Sequence, residues 1–371
     1  MDPSRIYLSI QKGAERLSRA DIIFYLMPAL MALLVIGTWA QREMGLYAAH
    51  QMYFASFVFW AGFMPLPGGY TLLIILSANL LLKFLFFSEW SWRKAGIILS
   101  HLGAIILLLG GLLTALSAKE GFMVIAEGQK SPFVYDYHKR ELLIFKNDTL
   151  AYVIPREKLL RATSLPLNIQ IENACENCRI LKRAEHEQDF AQDKTPHSLA
   201  QFMALEPDVL RKEAEANISG FSFSIENLDD DLDGIYIVFE GMPRPIEFTY
   251  QGDNYKIIYG KQQRRLPFEI ALEDFDKDTY PGMPMARGYS SEVIVLDEGV
   301  RWNARIEMNA PLRYKGYTFY QSSFDDSDDT QITVLSVVEN KGRIFPYLGT
   351  FILALGLLVH LLIIYAKRGK A

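Results

Sequence analysis

Four long apolar runs constrain this chain of 371 residues more than any other feature. They cover 22–39, 71–87, 95–118 and 347–366. Each is about 17–24 residues, enough to cross a hydrocarbon core of about 30 Å at 1.5 Å per residue. The first reads as an anchor rather than a cleaved signal, because it is longer than an h-region and no small-x-small site precedes Gln41 and Arg42. The charges divide in the same way. Residues 117–345 hold 27 basic and 38 acidic side chains, a net −11, and the remainder holds 11 and 5, a net +6. The pattern is that of a membrane protein with one large water-facing domain. The fold class expected is four transmembrane α-helices plus a mainly antiparallel β domain outside the cytoplasm. No basic stripe marks the water-facing part, which argues against a nucleic-acid partner.

Short basic segments set the orientation. Arg5, Lys12, Arg16 and Arg19 precede the first run, Arg93 and Lys94 link the second to the third, and Lys367, Arg368 and Lys370 end the chain. With four spans all nine lie on one side, the cytoplasmic one. Residues 40–70, opposite, carry only Arg42. Residues 1–118 then form a three-span membrane region, 119–345 an extracytoplasmic β domain, and 346–371 a last span with a basic cytoplasmic tail. The apolar segment 47–63 would break the charge asymmetry as a fifth span, so it is expected to lie as a helix in the outer interface in contact with membrane lipid. The Pro-Leu-Pro-Gly-Gly run at 65–69 then turns the chain into the second span. Lys83, near the cytoplasmic end of the second span, reads as a snorkelling lysine.

Between the third and fourth runs, strands announce themselves as short β-branched and aromatic runs at 221–226, 235–239, 255–259, 292–296 and 330–338. Asp233-Gly234, Gln251-Gly252-Asp253 and Lys315-Gly316 are turn signals between them. Residues 189–216 are polar and read as helical or loose. Leu165–Pro166 and Leu266–Pro267 open similar alternating stretches, which is either a weak repeat or, the reading favoured, a common way to begin a strand.

Two histidines fall inside expected spans. His101 follows Lys94 by seven residues and His360 precedes Lys367 by seven. Each is therefore about 10 Å from the cytoplasmic edge, at the same depth. An ionisable group within a span faces a partner or a cavity and is a functional candidate. His101, Ala104, Leu108, Gly111 and Ala115 share one line at helical spacing, and Gly349, Gly356 and His360 share another. Small residues there permit close helix approach or leave room for a flat ligand. Neutral imidazole is a common axial ligand of haem iron, and an interhelical hydrogen bond is the alternative for each. Cys175 and Cys178 read as a disulfide outside the cytoplasm, with a redox pair as the alternative. Arg179 stands where a haem-attachment motif needs histidine. His50, His138, His186 and His197 read as solvated, although His50 in the interfacial loop could face a ligand there. Asp325, Asp326, Asp328 and Asp329 read as a solvated turn rather than a calcium loop, lacking the glycine and the closing glutamate. No acid, base or nucleophile is arranged for catalysis.

The stretch 308–324, MNAPLRYKGYTFYQSSF, resembles the signature of the ResB (CcsB) proteins of system II cytochrome c maturation. The likeness extends to Leu266-Pro267-Phe268, Phe275, Tyr280-Pro281-Gly282, Tyr289-Ser290-Ser291, GFMVIAEG at 121–128 and Ser100-His101-Leu102-Gly103. The three-spans, outer-domain, one-span layout is also similar. The resemblance implies an accessory subunit in the bacterial cytoplasmic membrane, working with a ResC/CcsA-type partner. It implies that haem b is held in the membrane at His101 and passed to apocytochrome c. The family's pattern gives no counterpart for His360, and the partner's tryptophan-rich segment is absent here. Two alternatives use the same residues: a cytochrome b-type electron-transfer subunit with His101 and His360 as axial ligands, and a non-haem assembly scaffold with both histidines merely packed.

Overall fold

The computed structural model describes residues 12–162, 165–183, 194–283, 285–325 and 330–368. Arg5, His186, Asp326, Asp328, Asp329 and Lys370, singled out above, lie outside the described residues. The chain divides into two units, Met1–Lys119 with Glu339–Ala371, and Glu120–Val338.

Four helices of the first unit are long and apolar enough to cross a membrane. They are α1 (Asp21–Met44), α2 (Gly69–Phe86), α3 (Ala95–Ser117) and α4 (Phe345–Arg368). Their bounds lie within a few residues of the apolar runs, because an uncharged run of this length satisfies its own backbone as a helix. α1 runs further than its apolar stretch, through Arg42 and Glu43.

The segment expected as an interfacial helix over 47–63 is helical only in its first part. A short helix, Leu46–Ala49, passes into a π-turn, His50–Phe54. A β-hairpin follows, Val58–Ala61 against Met64–Pro67. Gly62, at φ +65°, makes its turn, and Pro65 and Pro67 bar a helix there. Gly68 and Gly69 let the chain fold back. A Cβ on Gly69 would stand 2.3 Å from the Phe54 carbonyl oxygen, and one on Gly37 would meet the Phe54 ring at the same distance. The Phe57 carbonyl accepts from Thr71 Oγ1 at 2.6 Å, which fixes the hairpin to the start of α2.

The second unit is antiparallel β. A ten-stranded sheet runs Val300–Glu307, Ala286–Asp297, Asp253–Thr279, Lys130–Lys146, Lys119–Ala126, Ile332–Glu339, Tyr317–Asp325, Leu312–Tyr314. Ile246–Tyr250 and Thr149–Pro155 flank the two long strands. A three-stranded sheet, Gly234–Phe239, Gly220–Ile225 and Ile169–Cys175, supplies a second layer. Every strand expected from the sequence is present. The polar stretch 189–216 departs from expectation, since Met203–Pro207 within it pairs with Cys178–Lys182.

Asp253–Thr279 and Lys130–Lys146 serve two separate cores. Ile257, Tyr259, Leu142 and Ile144 pack with Phe221, Phe223 and Tyr236. Leu266, Phe268, Ile270, Leu272 and Val134 pack with Val293, Val295, Phe319 and Leu335. The ladder between the two strands breaks from Arg265 to Ile270, opposite Pro132. Prolines at 132 and 267 lack the N–H that a continuous ladder needs. Leu165-Pro166 instead forms a single turn that leads into Ile169–Cys175. The two Leu-Pro stretches thus do different jobs and share only the alternation after them.

Candidate functional site

The 308–324 signature is mostly core and turn. Leu312 and Phe319 are buried, and Phe268 lies edge-on to Tyr314, Tyr317 and Phe319 with centroids 5.0, 5.8 and 6.0 Å away. Lys315 and Gly316, both at positive φ, form the two-residue hairpin turn between Leu312–Tyr314 and Tyr317–Asp325. That turn docks on buried Asp297, whose Oδ2 accepts from Tyr314 Oη at 2.5 Å and pairs with Lys315 Nζ at 2.6 Å. The Lys315 ammonium, then the Tyr314 hydroxyl, hold the Asp297 carboxyl below its ordinary range. Gln321 joins Ser291 and Thr333 in a buried hydrogen-bonded trio. Burial and this hydrogen bonding make these residues builders of the β unit, although Asp297 Oδ1 is buried without a hydrogen-bond partner among the described residues.

The histidines of the long apolar helices are placed by the packing of α3 against α4. Gly96, Gly103 and Gly110 on α3 each recur seven residues apart. Added Cβ atoms there would stand 2.3 Å from His360 N, 2.5 Å from Leu353 N and 2.3 Å from Phe345 Cβ. On α4, Gly356 meets the Ser100 backbone and Gly349 meets Leu107. The two helices are therefore antiparallel and in backbone contact along their length. Just before α4, Gly342 seats against Thr114 in the last turn of α3, whose hydroxyl reaches Asn340 at 3.2 Å.

This register corrects two expectations. The α3 face against α4 is the Gly96–Ser100–Gly103–Leu107–Gly110 line, not the His101–Ala104–Leu108–Gly111–Ala115 line. The expected face of α4, with Gly349, Gly356 and His360, is the one used. The histidines also stand at different levels. His360 is level with Gly96, and His101 lies five residues further along α3, about 7.5 Å at 1.5 Å per residue.

His101 and His360 consequently face different surroundings. His360 sits in the seam, with Nδ1 sealed from solvent and without a hydrogen-bond partner. His101 lies about 140° around α3 from Gly96, turned away from α4. It is half-buried, and among the described residues it makes no hydrogen bond. Along its line Ala104 and Leu108 are half-buried, and the line opens only towards its far end, where an added Cβ on Gly111 would meet nothing within 4 Å and Ala115 is exposed. Lys83 of α2 is near enough to act on His101 electrostatically. A flat macrocycle needs a carbon–carbon contact distance of about 3.5–4.0 Å on each face. Helices in backbone contact leave no such slot, so α3 and α4 do not hold one iron between His101 and His360. The half-buried imidazole of His101, without a hydrogen-bond partner among the described residues, points away from the α3–α4 seam.

Cys175 and Cys178 are joined as a disulfide across a tight turn, and both are buried. Between them, Asn177 donates to Val209 O at 2.7 Å and accepts from the Ile218 N–H. His50 is exposed beside Phe54. Two histidines expected to be solvated are packed instead. His197 stacks on Tyr236 at 5.1 Å with Nε2 3.2 Å from Asp233 O. His138 is half-buried 3.8 Å from Glu215, and its burial lowers its pKa. Only their neighbours across the fold reveal this, since the local sequence carries no sign of it.

Residues 248–334 match the ResB-like family. This span holds most of the second core and the whole 308–324 signature, and neither His101 nor His360. Protein NrfI of Wolinella succinogenes is 38% identical over 108 residues, which are 29% of this chain and 12% of that protein. The chain thus matches about an eighth of that relative's length.

Proposed function

From residues 248–334 belonging to the ResB-like family, we propose that this chain is a cytochrome c biogenesis protein. In this reading it is an accessory subunit of a system II haem export and cytochrome c synthase complex. The four long apolar helices lie in the bacterial cytoplasmic membrane. The nine flanking basic residues put both termini in the cytoplasm and the β unit outside it. Haem b is cargo, held at His101 and delivered to apocytochrome c together with a ResC/CcsA-type partner.

The observation that carries this reading is the open face of His101, in a chain whose β unit is ResB-like. One imidazole on an open helix face supplies a single axial bond and leaves the opposite iron face for a group on the partner. Ligation of that kind is exchangeable, which suits transfer. The glycine seam keeps α3 rigid against α4, so the imidazole is presented from a fixed scaffold. The β unit contributes a stiff, hydrogen-bonded body on the delivery side. No residue of this chain is assigned to thioether formation.

The test is an optical spectrum of the purified full chain, alone and with its partner, beside His101→Ala and His360→Ala, together with the c-type cytochrome content of a deletion strain. The reading expects the haem band to fall with His101→Ala and to survive His360→Ala, and the deletion strain to lack c-type cytochromes. Normal cytochrome c levels in the deletion strain would overturn it. Equal loss of haem in both variants would revive the electron-transfer alternative.

A further inference from the structure

Between Arg265 and Ile270 the long strand Asp253–Thr279 loses the regular ladder on both sides. Its pairing with Lys130–Lys146 breaks there, opposite Pro132, and its pairing with Ala286–Asp297 begins only at Glu269 and Leu296. The gap, lined on its other side by the turn from Asp297 to Val300, is a cavity of about 470 Å³. Ligand sites run from about 300 to 1,000 Å³. Five charged residues line it. Glu269 is paired with Lys130, Arg301 with Glu273 and Asp297 with Lys315. Arg265 and Glu298, one of each sign, make no hydrogen bond or ion pair among the described residues. The cavity is therefore electroneutral, with one open charge of each sign.

Asp297 is the buried member of the five, its side chain 5% exposed. Tyr314 and Lys315 take its Oδ2 and do not line the cavity. Its Oδ1 is buried without a hydrogen-bond partner among the described residues. A buried acceptor that lacks a donor is destabilising, and a donor that reaches it gains more than it would at an exposed oxygen. We propose that this cavity binds a small zwitterion, its ammonium donating to Asp297 Oδ1 and its carboxylate pairing with Arg265. Glu298 offers the ammonium a second carboxylate. A plain cation would be repelled by Arg265. A plain anion would be repelled by Glu298 and would leave Oδ1 without a donor. A ligand with both charges meets all three groups, and an ω-amino acid is the simplest of that class. The site lies wholly within the β unit and is independent of the reading of His101.

The experiment titrates the purified full chain, in neutral detergent, by calorimetry. The probes are glycine, β-alanine, γ-aminobutyrate and ε-aminocaproate, which differ in the separation of their charges, with propylamine and butyrate as the singly charged counterparts. One zwitterion of the series is expected to bind at least tenfold more tightly than propylamine or butyrate, the scale of one charge-assisted hydrogen bond. Arg265→Met should bring that zwitterion down to the affinity of propylamine. Val300→Trp, a substitution at a lining residue that is 58% exposed, should fill the mouth and abolish binding. Melting temperatures of both variants, expected to match wild type, show that the fold is kept. Absence of binding by all four zwitterions up to 10 mM, roughly the weak limit of a specific site, overturns the proposal. So does a singly charged probe that binds as tightly as the best zwitterion, or binding that survives Val300→Trp.

Discussion

Gly96 of α3 touches the backbone of His360 on α4: a methyl group at Gly96 would fall 2.3 Å from the His360 nitrogen. The contact excludes a cofactor from this seam and turns His101 outward. It also makes α3 glycines unequal, because only one line of them bears on α4.

Gly103→Ala and Gly111→Ala should therefore shift stability in opposite directions. Alanine is intrinsically better in a helix by about 0.5–1 kcal/mol. Gly111 faces open space and should gain on that scale. At Gly103 the Cβ meets Leu353 N at 2.5 Å, so overpacking of about 1–3 kcal/mol prevails. Thermal unfolding of the two variants in the same detergent checks this. A raised melting temperature for Gly103→Ala would disprove the seam.

The alternation in 308–324 makes a second contrast. Phe319 is fully buried and Tyr320 is 40% exposed. Phe319→Ala should cost about 3–5 kcal/mol, whereas Tyr320→Ala should stay within about 1 kcal/mol. Protease resistance of the β unit in the full chain reads the difference. Equal sensitivity of the two variants would contradict the assigned core.

Acid should loosen the hairpin turn at Lys315. The Asp297 carboxyl is held low by Lys315 and then Tyr314. A carboxyl with a depressed folded pKa contributes stability above its unfolded pKa, about 3.9, and loses it as the pH falls through the folded value. Asp297→Asn should thus lower the melting temperature at pH 7 and converge on wild type as the pH drops below about 4. A constant gap across that range would show that charge at Asp297 is irrelevant.

Cys175 and Cys178 close a loop of four residues, for which the chain-entropy account gives about 2 kcal/mol. Cys175→Ser with Cys178→Ser should weaken the β unit by about that much and leave the proposed role in cytochrome maturation otherwise intact. Both sulfurs are buried, so added reductant should open the bond only slowly in the native chain. Rapid reduction and trapping by a thiol reagent would point to a redox role instead.

The sequence by itself determined where the long apolar helices lie, because a run of about twenty residues with at most one charge can satisfy its backbone as a helix long enough to cross a membrane. It also determined the short strands, through period-two alternation between glycine turns such as Lys315-Gly316. His101 and His360 were legible as imidazoles within apolar runs. Which face of α3 meets α4 was not, since α3 is apolar on nearly every side and no hydrophobic stripe distinguishes the buried one. Two candidate lines of small residues stood side by side on α3, and only the approach of α4 chose Gly96–Gly103–Gly110 over the line containing His101. The same holds for the hairpin at 58–67, for the packed rings of His138 and His197, and for the long strand Asp253–Thr279 that feeds two cores. Each depends on partners distant in the chain, and tertiary packing alone supplies them.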